Sequence, residues 1–202
     1  MTDTTPARGR SSPRGSGFEP PGRRHAGLSQ SVPGQQGDHV MEQCQKVYDA
    51  LDKFGIAFNL VEHPPALTTE DADRYIEGIE GVRTKTLFLS NRKKTSWYLV
   101  VMDDSKQLDM KRLGEILGES RMQFGSAEKL HEKMSLTPGI VSIFGLLNNS
   151  EKDIKVYFDK NILSESIMSF HANDNSKTVF ISTDDMLKFV QSAGFGFDVI
   201  DL

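Results

Sequence analysis

Lys85 stands in the run Thr84-Lys85-Thr86-Leu87-Phe88-Leu89, whose threonines and apolar residues read as a β-strand. An ammonium on such a strand must reach solvent or meet a negative partner, because burying it unpaired is costly. A point cation of this kind suits phosphate. Beside it, the Thr86 hydroxyl can donate and accept a hydrogen bond. Two segments downstream add polar and glycine chemistry: Thr137-Pro138-Gly139-Ile140-Val141-Ser142-Ile143-Phe144-Gly145-Leu146-Leu147-Asn148-Asn149 and Ser169-Phe170-His171-Ala172-Asn173-Asp174-Asn175. Pro138-Gly139 marks a sharp turn at which glycine lets a ligand approach the backbone closely. Ser142, Gly145 and the Phe144 main chain are candidates to orient a carbonyl, since exposed N–H groups stabilise a developing oxyanion. Asn173 and Asn175 can hydrogen-bond a ligand or build a turn. An isolated histidine such as His171 is more often structural than catalytic.

Other chemistries find no support. No His/Asp/Glu cluster has metal-ligand spacing, and no Gly-x-Ser-x-Gly elbow or Walker-type glycine loop occurs. Ser126-Ala127-Glu128-Lys129 fits Ser-x-x-Lys, but without the companion motifs of penicillin-binding enzymes it reads as a helix start. Cys44 is the one cysteine, which excludes an intrachain disulfide and a Cys-based zinc site. No metal and no cofactor are expected.

The elements that must position these residues are legible in part. Cys44, Val47, Leu51 and Phe54 recur at helical spacing before Gly55, and Ile56, Phe58 and Leu60 alternate as a strand ahead of Pro64-Pro65. Thr68 or Thr69, with Glu70 and Asp71, opens a helix that Gly78 and Gly81 end. Residues 83–90 and 96–102 form an antiparallel pair across a polar loop. Asp109 caps a helix through Leu117, and Ser126 opens another that ends near Met134. Strands are expected at 140–144, 154–158 and 178–182, then a helix from Thr183 to Ser192 and a last strand at 197–200. Helices and strands mix without a βαβ rhythm, so the fold class is α+β with a mixed, largely antiparallel sheet flanked by helices.

The chain of 202 residues suits one domain plus a tail. Residues 1–40 hold five of the eight prolines, seven of the 17 glycines and five arginines, with almost no apolar pattern. They are expected to be a disordered leader or upstream extension, with the folded domain at 41–202 and Met41 a candidate native start. A basic arm touching RNA through Arg8, Arg10, Arg14, Arg23 and Arg24 is the functional alternative. Those arginines against Asp3, Glu19 and Asp38 make the leader +2, so the chain's net −4 leaves −6 on the remainder. Such a domain cannot coat a long phosphate backbone, and any nucleic-acid contact must be local. No apolar run reaches membrane-spanning length, and a soluble, cytoplasmic protein is expected.

The three segments, in order, resemble the YbaK-like, prolyl-tRNA-synthetase-associated family of free-standing aminoacyl-tRNA deacylases, and the resemblance runs from about Met41 to Leu202. It implies a single YbaK-like domain and a trans-editing hydrolase for mischarged tRNA, with alanine on proline tRNA the leading substrate. Lys85 matches the lysine of a Thr-Lys-Asn-Leu-Phe-like run and takes the catalytic role, in contact with the acylated tRNA end. Thr86 replaces the asparagine of many members. Gly139 keeps the glycine of a Gly-x-x-x-Pro stretch whose proline is here Ile143. Phe170-His171-Ala172-Asn173 resembles a Phe-His-Pro-Asn run, which places His171 and Asn173 with Thr86, Gly139, Ser142, Phe144 and Gly145 among the substrate-binding residues. Glu62-His63-Pro64-Pro65 shapes the pocket rim. The implied partners are the tRNA acceptor end and prolyl-tRNA synthetase or an elongation factor, with no DNA and no membrane. The departures at Thr86 and Ile143 leave cysteinyl and seryl tRNA, or a non-catalytic adaptor role, as alternatives.

Overall fold

In a computed structural model of the protein, residues 35–66 and 69–202 are described. Residues 1–34, which carry the arginines of the candidate basic arm, lie outside them, as does Thr68. Helix α1 spans Gln35–Lys53, so the boundary expected at Met41 falls inside a helix. It buries Cys44, Val47 and Leu51. Strand β1, Phe58–Glu62, and helix α2, Thr69–Tyr75, lead into the hairpin of β2, Val82–Asn91, and β3, Trp97–Asp103. Helix α3, Met110–Leu117, the short β4, Met122–Phe124, and helix α4, Ala127–Met134, come next. After a 3-10 helix, Ile143–Asn148, come β5, Ile154–Asp159, a second 3-10 helix, Lys160–Ser164, and β6, Ile167–His171. The chain closes with β7, Lys177–Ser182, helix α5, Thr183–Ser192, and β8, Phe197–Ile200.

The strands form one mixed sheet in the order β1-β7-β6-β2-β3-β5-β8, with β4 also on β2. The α+β expectation with a mixed, largely antiparallel sheet holds. β3 lies inside the sheet between β2 and β5 and is buried on both faces, as its unbroken apolar run requires. Its alternate residues divide the core. Trp97, Leu99 and Val101 pack with α1, α5 and the first 3-10 helix, whereas Tyr98 and Val100 pack with Leu113 of α3 and Met122 of β4.

β2 positions the site. On one edge it pairs antiparallel with β3 from Thr84↔Asp103 to Ser90↔Trp97. On the other edge β6 pairs only with Val82 and Arg83, and β4 only with Leu89 to Asn91, joined by the Gly125 N–H to the Phe88 carbonyl. Between them no strand covers β2 among the described residues. Main-chain groups of successive strand residues point to opposite edges. Arg83 turns its carbonyl to the β3 side, toward the Asp104 N–H, so Thr86 turns its own N–H and C=O into the gap.

Two elements differ from expectation. Residues 140–144 form no strand, because Ser142 accepts a hydrogen bond from the Phe144 N–H and caps the 3-10 helix. No strand is expected from the sequence at Ile167–His171, where β6 lies with too few apolar residues to show a period, whereas Asn173 and Asn175 fall in the β6–β7 turn that their residue type allows.

Candidate active site

The gap in β2 opens into a cleft of about 650 Å³. β2 contributes Thr84 to Phe88, β6 contributes Ser169 to His171, and α2 contributes Ala72, Asp73 and Ile76. Pro138, Gly139 and Val141 close the remaining side with Phe124 and Gly125. Gly125 is needed for its lack of a side chain, since a Cβ there would lie 2.3 Å from the Phe88 ring.

Lys85 reaches across the end of the hairpin, where its ammonium donates to the main-chain oxygens of Asp104, at 3.0 Å, and Lys106. An ammonium has three N–H donors, so one remains for a ligand. The pleat sets Lys85 and Thr86 on opposite faces of β2: Phe88 joins the larger core and Leu87 the smaller one. Both nevertheless line the cleft, which wraps around the open edge of the strand.

The loop that holds Lys85 is itself held. Lys106 donates to the Asp159 carboxylate at 2.6 Å and to the Leu202 carbonyl at 3.0 Å, and Asp159 is fully buried. The end of the chain is therefore tied to the two carbonyls that fix the lysine.

His171 lines the cleft with its Nδ1 buried and without a hydrogen-bond partner among the described residues. Burial first, then the neighbouring His63, lowers its pKa, so the ring is neutral at physiological pH and offers a lone pair. His63 is outside the cleft lining and is fixed with Nε2 3.0 Å from Thr178 Oγ1 and its ring stacked on Tyr75.

Four sequence-derived site residues lie outside the cleft lining. Ser142 is 1 % exposed and spends its hydroxyl on the His171 carbonyl at 2.6 Å. It ties the glycine loop to β6 and does not face the cleft. Phe144 is fully buried between Phe170 and Phe189, and its N–H bonds Ser142 Oγ. The Gly145 N–H is taken by the Ser142 carbonyl at 3.1 Å, and a Cβ at Gly145 would meet Leu136 and Met134 at 2.6 Å. Tight packing, not ligand approach, explains that glycine. Asn173 adopts φ 59° in the β6–β7 turn and is buried away from the cleft lining, with neither side-chain polar atom bonded among the described residues. Lys85, Thr86, Gly139 and His171 do line the cleft, and Gly139 at φ +89° has open space where a side chain would stand.

Asp73, Arg83 and Asp104 escaped sequence reasoning. Arg83 is 3.8 Å from Asp73 and donates to the carbonyls of Ile76, Ile79 and Gly81, which locks α2 onto β2. A signal existed for Asp104: the acidic pair Asp103-Asp104 ends the second strand of the hairpin whose first strand carries Lys85. Among the described residues no cluster of His, Cys, Asp and Glu could hold a metal ion.

Residues 63–189 match the family described as the aminoacyl-tRNA editing domain. The chain is 37% identical over 163 residues to the prolyl-tRNA editing protein ProX of Acetoanaerobium sticklandii, covering 80% of this chain and 99% of that protein. It is 28% identical to the prolyl-tRNA synthetase associated domain-containing protein 1 of Mus musculus, over 71% of this chain and 87% of the relative. A solved structure described as a candidate trans-editing enzyme for prolyl tRNA synthetase shares the fold, with a TM-score of 0.64 and 18% identity over 79% of this chain and 96% of that one. The chain belongs to the aminoacyl-tRNA editing domain family. It is an aminoacyl-tRNA deacylase, an editing hydrolase.

Proposed function

We propose that this protein removes alanine in trans from mischarged proline tRNA. The observation that carries the reading is Lys85, held by two carbonyls at the open edge of β2 with one N–H left for a ligand. Around it lies a cleft within the usual range of about 300–1,000 Å³ for small-ligand sites. A terminal adenosine with a small amino acid needs such a space. The need for a second site is physical. A pocket built for proline rejects a smaller side chain by only about 1–3 kcal/mol per missing methylene.

In this reading Lys85 anchors the terminal phosphate or the ester of the acylated tRNA end. The Thr86 main-chain N–H, its hydroxyl and the Gly139 backbone polarise the carbonyl, in place of the Phe144 and Gly145 N–H groups that are already bonded. Water attacks the carbonyl carbon, the ribose oxygen leaves with a proton, and the products are free amino acid and tRNA. The ester is already activated, so positioning supplies more than a strong nucleophile would. The substrate's own 2′-hydroxyl assists the water, and neutral His171 borders the same space. Contact is confined to the acceptor end, with prolyl-tRNA synthetase or an elongation factor presenting the tRNA.

The test is release of labelled alanine from Ala-tRNA(Pro) by the full chain and by Lys85→Ala, with cysteinyl and seryl tRNAs alongside. The expected outcome is alanine release that falls at least about a hundredfold in the variant, the scale of losing one oriented electrostatic contact. Faster release of cysteine or serine would move the specificity, and no release of any would leave an adaptor role.

A further inference from the structure

The remaining charge in the cleft points to how the amino-acid half of the ligand is held. Of the ionisable groups lining it, Asp73 pairs with Arg83, Lys85 gives two N–H bonds to main-chain oxygens, and His171 is neutral. Asp104 differs from all of these. Its N–H and C=O are used, by Arg83 and Lys85, but among the described residues nothing donates a hydrogen bond to its half-buried carboxylate and no cation pairs with it. Burial, then the like charges of Asp73 and Asp103, pushes its carboxyl up from the ordinary value, while Lys85 and Arg83 pull the other way. A carboxylate in that position favours a cation beside it.

We propose that the Asp104 carboxylate binds the α-ammonium of the aminoacyl group and so makes a free amine a condition of cleavage. This rests on the deacylase reading of the same cleft. The geometry is consistent with the chemistry of the ligand. The ammonium is attached to the carbon next to the ester carbonyl, so a site for it must lie close to the groups that hold the ester. Asp104 supplies one of the two oxygens that fix Lys85, so its side chain starts from the backbone that positions the ester anchor. The phosphate of the tRNA end would be repelled there. The ammonium is the one cationic group of the aminoacyl end that a small amino acid offers, and a charge-assisted bond to it is short and strong. The proposal also gives the site a means of sparing acylated tRNAs whose amine is blocked, such as formylated ones, which no apolar pocket would provide.

The test uses full chain and two non-cleavable ligands, 3′-alanylamino-3′-deoxyadenosine and its N-acetyl form, with binding followed by calorimetry. Wild type is expected to prefer the free amine by at least about tenfold. Asp104→Asn should lose that preference, through weaker binding of the free amine alone, and Asp104→Glu should restore part of it. Equal binding of the two ligands by wild type, no binding of either, or an unchanged preference in Asp104→Asn would each overturn the proposal. Because the first comparison needs wild type only, a variant that fails to fold leaves the inference open to refutation. The corresponding seryl and cysteinyl pairs of analogues, measured alongside, separate it from the substrate assignment: an amine preference kept with those, together with no alanine release from tRNA, would sink the alanine reading and leave the role of Asp104 standing.

Discussion

Gly145 shows how a residue can carry a motif without touching its ligand. The glycine sits within the first 3-10 helix, and the side chains of Leu136 and Met134 occupy the space a Cβ would need. Gly145→Ala is expected to destabilise the fold by about 1–3 kcal/mol through overpacking, with KM for the acylated tRNA unchanged in the protein that remains folded. Urea unfolding beside steady-state kinetics checks this, and a raised KM at unaltered stability would return Gly145 to the ligand site. Ser142 acts in the same indirect way, through the His171 carbonyl. Lys85 was legible because a lysine inside an apolar strand needs a partner. The identity of that partner was not, since main-chain oxygens of a turn leave no mark in residue types.

At the scale of elements, sequence pattern located α3 and α4 from their caps, α5 from its Thr183 start and the β2–β3 hairpin from its β-rich runs, and Asp109, Ser126 and Ser182 bond the first turns of the three helices. It failed at β4, which spans only Met122–Phe124, and at Ile140 to Phe144. There an apolar run has the composition of a strand, but the Pro138-Gly139 turn and the Ser142 cap fold it into a 3-10 helix that buries Ile143, Phe144 and Leu146. The open edge of β2 was illegible for another reason, because it depends on where β6 and β4 stop pairing. The loop from Asp103 to Lys106 yields a prediction of its own. Asp159 is buried and bonded to Lys106, whose carbonyl in turn holds Lys85. Asp159→Ala leaves the partly exposed Lys106 ammonium with the Leu202 oxygen alone and should cost about 1–3 kcal/mol of stability. It should also lower kcat by up to about a hundredfold under conditions where the variant is folded, since displaced catalytic groups lose rate on that scale. A normal kcat in folded Asp159→Ala would show that Lys85 needs no such support.

For the whole molecule, ionisation and net charge make separate demands. His171 has a folded pKa below its unfolded value, so on acidification the unfolded chain takes up a proton first and stability falls as the pH drops through about 6.5. Asp174 and Asp153 have depressed folded values, so the stability they contribute is lost only at lower pH, beneath the ordinary carboxylate value. Asp104 acts oppositely: its carboxyl is raised, and protonating it on the way down in pH relieves the folded state. His171→Gln should therefore remove the earliest acid-side decline in the urea midpoint and leave the later one, and a decline unchanged in the variant would assign it to another group. Net charge governs the encounter with tRNA. The chain carries −4 overall, and among the described cleft residues only Arg83 and Lys85 are cationic, with Arg83 already committed to Asp73 and three carbonyls. One lysine neutralises about one phosphate, and single-stranded ends release counterions with a slope of about −0.7 per phosphate neutralised. The logarithm of kcat/KM against the logarithm of salt concentration should thus have a slope of about −0.7 with free tRNA. A slope several times steeper would mean that basic residues away from the cleft grip the tRNA body, and a slope that steepens only when the synthetase is added would assign that grip to the partner.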